Sequence, residues 1–287
     1  MPLPPKIKGC LSLVSDEQGY LKEGAPITDS TPYEVRRAQE LNAQLGPKGT
    51  PEAVDLLCDL HNTTANMGMC LIFYSFDWIA LHIYNYIQSK MTSAPVTAIQ
   101  MDISETYSLE SVGKHGIAIE VGPQPHGVTR ADIFNLMKEA VDLTIECLQK
   151  LNSGKKHVLV FCEDTVLPRK HVKAICNCYC TLPTGSTFEG GKVEAYTLVK
   201  SVDYPRDPTT NNITAAIHPQ LQDNDFKLLK PGDPIFLSFS GETVKHEGEE
   251  LYPVFVNECA YYEKKIAFHL AKKVTVTFPS VSVKKVD

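Results

Sequence analysis

Between residues 32 and 45, Tyr33, Val35, Ala38, Leu41 and Leu45 recur at helical spacing while Arg36, Arg37 and Glu40 fall on the wetter side. An amphipathic helix is expected there, capped by Ser30 or Thr31. The pattern then shortens. Residues 54–60 form a brief apolar run, and after the polar stretch Asn-Thr-Thr-Ala-Asn-Met-Gly a second, β-prone run covers 69–74. Residues 77–90 return to a helical pattern, 96–101 and 117–121 read as buried strands, and 130–151 form a long helix. That helix sets Ile133, Leu136, Met137, Ala140, Leu143 and Cys147 on one face. Strands alternating with helices predict an α/β layer fold.

After Gly154 the texture changes to short β-type runs at 193–199, 213–217, 235–239, 254–256 and 274–278. The expected organisation is an irregular segment at 1–30, an α/β domain at 31–154, an insertion at 155–191, and a smaller β-rich C-terminal domain at 192–287. Pro168, Pro183 and Gly185 break the insertion, which carries Cys176, Cys178 and Cys180 near His171. Those cysteines alternate without the Cys-x-x-Cys turn usual in zinc sites, so a separate metal site is not expected there.

A chain of 287 residues, 43% hydrophobic and 22% charged, can bury a substantial core. Its net charge of -6, with no dense basic stripe, argues against nucleic acid, whose binding rests on phosphate neutralisation. The longest apolar stretch, 69–83, is interrupted by Ser75, Asp77 and His82, and is too polar and too short for a membrane span. No basic-then-apolar leader opens the chain, and nine cysteines, an odd number among buried elements, fit a reducing compartment. A cytoplasmic protein is expected.

Candidate chemistry is sparse. His61 ends an apolar run, and by spacing alone a hydrogen-bonded strand-end histidine is its ordinary reading. No His-x-x-Glu precedes it, and one imidazole cannot hold a catalytic zinc, which needs about three protein ligands. Glu120 lies among Ile117, Ile119 and Val121, where an unpaired carboxylate has a raised pKa and a buried ion pair is the plainer explanation. Tyr261 reads as core packing unless its surroundings say otherwise.

Several segments, in order, carry a resemblance. They are Pro32-Tyr33-Glu34-Val35-Arg36-Arg37-Ala38-Gln39-Glu40, Asp59-Leu60-His61-Asn62-Thr63-Thr64 with its continuation to Gly68, and Glu120-Val121-Gly122-Pro123-Gln124-Pro125. Val202-Asp203-Tyr204-Pro205-Arg206, His218-Pro219-Gln220-Leu221-Gln222-Asp223 and the run from Tyr252 to Lys264 follow. Together they resemble the aspartoacylase/aminoacylase III group of zinc amidohydrolases, relatives of the zinc carboxypeptidases. The Asn-Thr-Thr-Ala-Asn-Met-Gly stretch and Phe239-Ser240-Gly241-Glu242 look closer to aminoacylase III, which handles N-acyl aromatic amino acids and mercapturates.

The resemblance implies an α/β zinc-carboxypeptidase-like domain followed by the β-rich domain closing over its cleft. It implies zinc as cofactor, His61 as a zinc ligand, Glu120 as general base and Tyr261 as a substrate contact. Asp59, two residues before His61 on an extended strand, falls on the same side and is placed to orient it. The implied partner is a small N-acyl amino acid, with homo-oligomerisation or association with a full-length family member.

Some of the pattern is absent. The His-Gly-Asn-Glu motif with two metal ligands, the Asn-Arg pair and the carbonyl-polarising arginine do not occur, and Arg36 and Arg37 match a helix outside the family's site. The expectation is a carboxypeptidase-like domain truncated at its N-terminus, binding zinc weakly and hydrolysing poorly, or else acting as a non-catalytic partner. A splice-type origin would account for both the opening segment and the insertion. Glu110 stands where the aspartoacylase branch has an arginine, which disfavours a second substrate carboxylate.

Overall fold

The computed structural model describes residue 28 and residues 30–105, 108–152, 157–161 and 187–285. Helix α1 (Tyr33–Leu45) leads to strands β1 (Leu56–Asn62) and β2 (Gly68–Tyr74), helix α2 (Trp78–Lys90), strands β3 (Val96–Met101) and β4 (His115–Gly122), and helix α3 (Ala131–Asn152). Strands β5 (His157–Phe161), β6 (Thr187–Phe188), β7 (Gly191–Val202), β8 (Ala215–Ile217) and β9 (Pro234–Ser238) follow. The chain ends with β10 (Thr243–Lys245), β11 (Tyr252–Val254), β12 (Phe268–Phe278) and β13 (Val281–Lys285).

Two helix starts show how local chemistry is used. At α2, Asp77 caps the helix by accepting from the Ala80 amide at 3.0 Å, and the same carboxylate reaches His115 Nδ1 at 2.9 Å and the Gly116 amide at 3.2 Å. One acidic side chain thus pins the helix to the start of β4. At α1 the expected Ser30/Thr31 cap is not made: Pro32 holds the cap position without a side-chain bond. Thr31 Oγ1 instead accepts from the Thr28 amide at 2.9 Å, one residue too far upstream to serve the helix.

Seven strands form the main sheet in the order β1-β4-β2-β3-β7-β12-β11. The β1/β4, β2/β3 and β3/β7 pairs are parallel, and β2/β4, β7/β12 and β11/β12 antiparallel. Strands from the C-terminal half therefore extend the sheet begun by the N-terminal half. Alternation splits each strand between two faces. Met69, Leu71 and Phe73 of β2 and Ile117, Ile119 and Val121 of β4 all pack with Ile83 and Ile87 of α2 and Ala140 and Cys147 of α3 in one buried cluster. Each such large side chain contributes about 1.5–3 kcal/mol by leaving water. Cys70, Ile72, Tyr74, Ala118 and Glu120 point the other way, toward the C-terminal half.

The C-terminal half has its own core of Ile217, Ile235, Phe236, Leu251, Phe268 and Leu270 beneath the antiparallel sheet β10-β9-β8. A third sheet, β5-β13-β6, uses His157–Phe161 and Thr187–Phe188, which the sequence pattern suggests are irregular. Cys176, Cys178, Cys180 and His171 lie outside the described residues. Among the described residues, no helix is long and apolar enough to cross a membrane.

Candidate functional site

Register assembles the site. The parallel β1/β4 pairing sets His61 beside Glu120, and the antiparallel β2/β4 pairing sets Cys70 beside Glu120 on the other side. Three neighbouring strands thus present His61, Glu120 and Cys70 in a row on the face turned away from α2 and α3. Asp59, two residues before His61, reaches its Nε2 with Oδ2 at 2.7 Å, as strand alternation predicts.

Glu120 is almost wholly buried, and burial first of all pushes its carboxyl up to about 7. His61 counters part of that shift, while the negative charges of Glu258 and Asp59 add to it. A carboxyl so placed can hold or release a proton near neutrality, which suits a general base.

Beyond β1 the chain turns across the end of β4. The Thr63 amide donates to Val121 O at 3.1 Å and the Gln124 amide to Thr63 O at 2.8 Å. Gly122 makes this crossing possible, since a Cβ there would lie 2.3 Å from Ala65 O. Buried Glu258 clasps the turn from the C-terminal half: it accepts from Thr63 Oγ1, from the Thr64 amide at 2.7 Å and from Thr64 Oγ1 at 3.1 Å. Its other oxygen accepts from the Ala260 amide at 3.0 Å and so caps the short 3-10 turn Cys259–Tyr261.

That turn delivers Tyr261. Its ring lies 5.5 Å from Phe255 and 5.5 Å, edge-on, from His269, with Lys264 Nζ 5.2 Å from the ring centre. His269 meets Ser201 Oγ through Nδ1 at 3.0 Å, and burial, helped by the charge of Lys264, lowers its pKa to about 4. The imidazole is neutral at physiological pH.

His61, Glu120 and Tyr261 all line one cleft of 630 Å³, walled by Ile72, Ile99 and Leu198 from the sheet and by Phe255 and Ile266 from the opposite side. A separate hollow of 230 Å³ beside Leu221 and Leu229 contains none of them. Among the described residues, no group of three or more His, Cys, Asp or Glu side chains is arranged to hold a metal ion.

Residues 21–148 match the succinylglutamate desuccinylase/aspartoacylase catalytic domain, and residues 191–273 match the AstE/AspA barrel-sandwich hybrid domain. N-acyl-aromatic-L-amino acid amidohydrolase (carboxylate-forming) B of Danio rerio is 58% identical over 91% of this chain and 74% of its own length. The chain belongs to the aspartoacylase/aminoacylase III family. Mouse aspartoacylase is 38% identical over 94% of the chain and 77% of its own length. The crystal structure of murine aminoacylase 3 superimposes with a TM-score of 0.75 at 39% identity, covering 90% of this chain and 75% of that one. The fold is the mixed α/β sheet of this family's catalytic domain joined to its barrel-sandwich hybrid domain.

Two cleft residues, Glu258 and His269, escape a reading of the sequence for roles in catalysis or binding. Glu258 looks like mere context for Tyr261, although an acidic residue inside the apolar run Val254-Phe255-Val256 to Ala260 is a usable signal. His269 carries no signal beyond being a histidine in a strand. Glu110, noted for what it replaces, proves to be buried and to line the cleft. Its Oε1 accepts from Tyr74 OH at 2.7 Å and from Ser108 Oγ, while Oε2 is buried with no hydrogen-bond partner among the described residues.

Proposed function

We propose that this aspartoacylase/aminoacylase III family chain takes N-acyl amino acids, aromatic ones and mercapturates foremost, into the cleft over β4 and cleaves their amide bond. Glu120 accepts the proton of the attacking water and returns it to the leaving nitrogen, and Tyr261 donates a hydrogen bond to the substrate. The observation that carries this reading is the row of His61 and Glu120 on paired strands, facing Tyr261 across a cleft large enough for a small substrate. The names of the relatives support the same substrate class.

Zinc is the cofactor that the family resemblance implies, and the described residues do not fit it. His61 already meets Asp59 through Nε2, and no group of three ligand side chains forms around it, against the roughly three ligands that a catalytic zinc requires. Turnover is slow, and metal analysis of purified, tag-free protein finds well under one zinc per chain. Tightly held stoichiometric zinc would overturn this. With N-acetyl-tyrosine as substrate, Glu120→Gln removes the residual turnover, by about 10²-fold or more, and leaves the melting temperature unchanged or higher. Equal rates for the two proteins would remove Glu120 from the chemistry.

The unfilled ligand set also favours a second reading, in which the chain keeps the family's surfaces and associates with a catalytically competent relative, or with itself. Co-purification with such a relative supports it, and failure to associate removes it. A cytoplasmic location belongs to the same proposal, supported by free thiols at all four described cysteines, Cys58, Cys70, Cys147 and Cys259.

A further inference from the structure

The cleft carries opposite charges on its two sides. On the strand floor Glu120, its pKa raised chiefly by burial, lies within reach of the negative charges of Glu258 and Asp59. Among the described residues that line the cleft there is no arginine, and the lysines are Lys200 and Lys264, both exposed. An N-acyl amino acid carries a carboxylate that is ionised at neutral pH. The acidic floor repels that group, and a lysine attracts it.

Lys264 is the better placed of the two. Its Nζ lies 5.2 Å from the centre of the Tyr261 ring, and after burial its charge is the further cause of the lowered pKa of His269. Both rings line the cleft, so the ammonium is located at the cleft wall, where a ligand can reach it. Lys272 and Lys273 of β12 are paired with Glu249 and Glu194, but Lys264 makes no ion pair among the described residues. Lys200 has neither an acidic partner nor a ring among those residues to hold its ammonium in place.

The backbone fixes Lys264 relative to the acidic side. Its amide donates to Tyr261 O at 3.0 Å, the Tyr261 amide donates to Glu258 O at 3.0 Å, and the Glu258 carboxylate accepts from the Thr64 amide in the turn that follows His61. One short segment therefore carries the cation and is tied to the strand that ends in His61.

We infer that Lys264 anchors the α-carboxylate of the N-acyl amino acid, and that the opposed charges of the cleft direct the acyl amide toward Glu120. This rests on the cleft binding N-acyl amino acids, and it goes further by assigning the residue that sets the direction of binding, a role for which the chain has no Asn-Arg pair.

Calorimetric titration of the full chain with N-acetyl-tyrosine and N-acetyl-tyrosinamide, which lacks the charge, tests it. The parent is expected to bind the acid about tenfold more tightly than the amide. Lys264→Met keeps an apolar stem beside the Tyr261 ring and should bring the acid down to the affinity of the amide, Lys264→Arg should restore the preference, and Lys200→Met should keep it. Equal affinities of acid and amide for the parent, a comparison that needs no variant, would overturn the assignment while leaving the cleft's function intact. So would a preference that survives in Lys264→Met or is lost in Lys200→Met instead. Absence of binding by both ligands would sink the deacylase reading itself, and this proposal with it.

Discussion

The two faces of the main sheet are made from the same strands and obey different rules. Toward α2 and α3, Met69, Leu71, Phe73, Ile117, Ile119 and Val121 form an unbroken apolar layer. Toward the C-terminal half the intervening positions are Cys70, Ile72, Tyr74, Ala118 and Glu120, joined by His61. The helix face is arranged to exclude water and hold shape. The cleft face keeps a buried carboxyl at Glu120, and at Glu110 an acceptor unmet among the described residues, each of which costs stability where an apolar residue would add it. Polar groups held at such a cost set this face apart, while the apolar face supplies the stability that makes them tolerable.

Three changes break or sharpen that contrast. The largest effect belongs to the helix face: Phe73→Ala, at a side chain only 1% exposed, is expected to cost about 3–5 kcal/mol in denaturant melts. Affinity for N-acetyl-tyrosine measured well below the melt should not move, and a large affinity loss would show that the two faces are not separable.

Next is Glu258→Ala, which removes the clasp on Thr63 and Thr64 and leaves their donors without it. A stability loss of about 2–3 kcal/mol is expected, this time with weaker ligand binding, because the turn after His61 loses its anchor. Lost stability with unchanged binding would make the clasp purely architectural.

The smallest effect lies inside the C-terminal half, where Asp225 Oδ1 accepts from the Val256 amide at 2.9 Å and burial pushes its carboxyl up to about 7. The folded-state value lies above that of the unfolded chain, near 4. The folded state therefore holds this proton more tightly, and the stability it contributes is present below pH 4 and lost as pH rises toward 7. Asp225→Asn escapes that loss, so its melting temperature relative to the parent should climb by about 2–4 °C between pH 5 and pH 8. A difference that stays flat with pH would remove Asp225 as the source.

Much of the fold was legible in short windows. The helical period over Ile133 to Cys147 and the apolar runs that became β2, β3 and β4 stand out because burial on one face repeats with the period of the element. The α1 cap was misplaced because Pro32 took the cap position and Thr31 turned back to Thr28. A single residue of slippage at a helix start leaves no trace in the apolar pattern.

The site divides along the same line. Asp59 beside His61 follows from two-residue alternation, and the family motifs alone were enough to single out His61, Glu120 and Tyr261 as candidates. That His61 stands beside Glu120, that Glu258 reaches 194 positions back along the chain to hold Thr64, and that Glu110 is buried against Tyr74 were settled only by the folded chain. Local pattern encodes period and burial, which each segment expresses by itself. Register between distant strands and the pairing of buried polar atoms are collective, and they come into being only when the whole sheet closes.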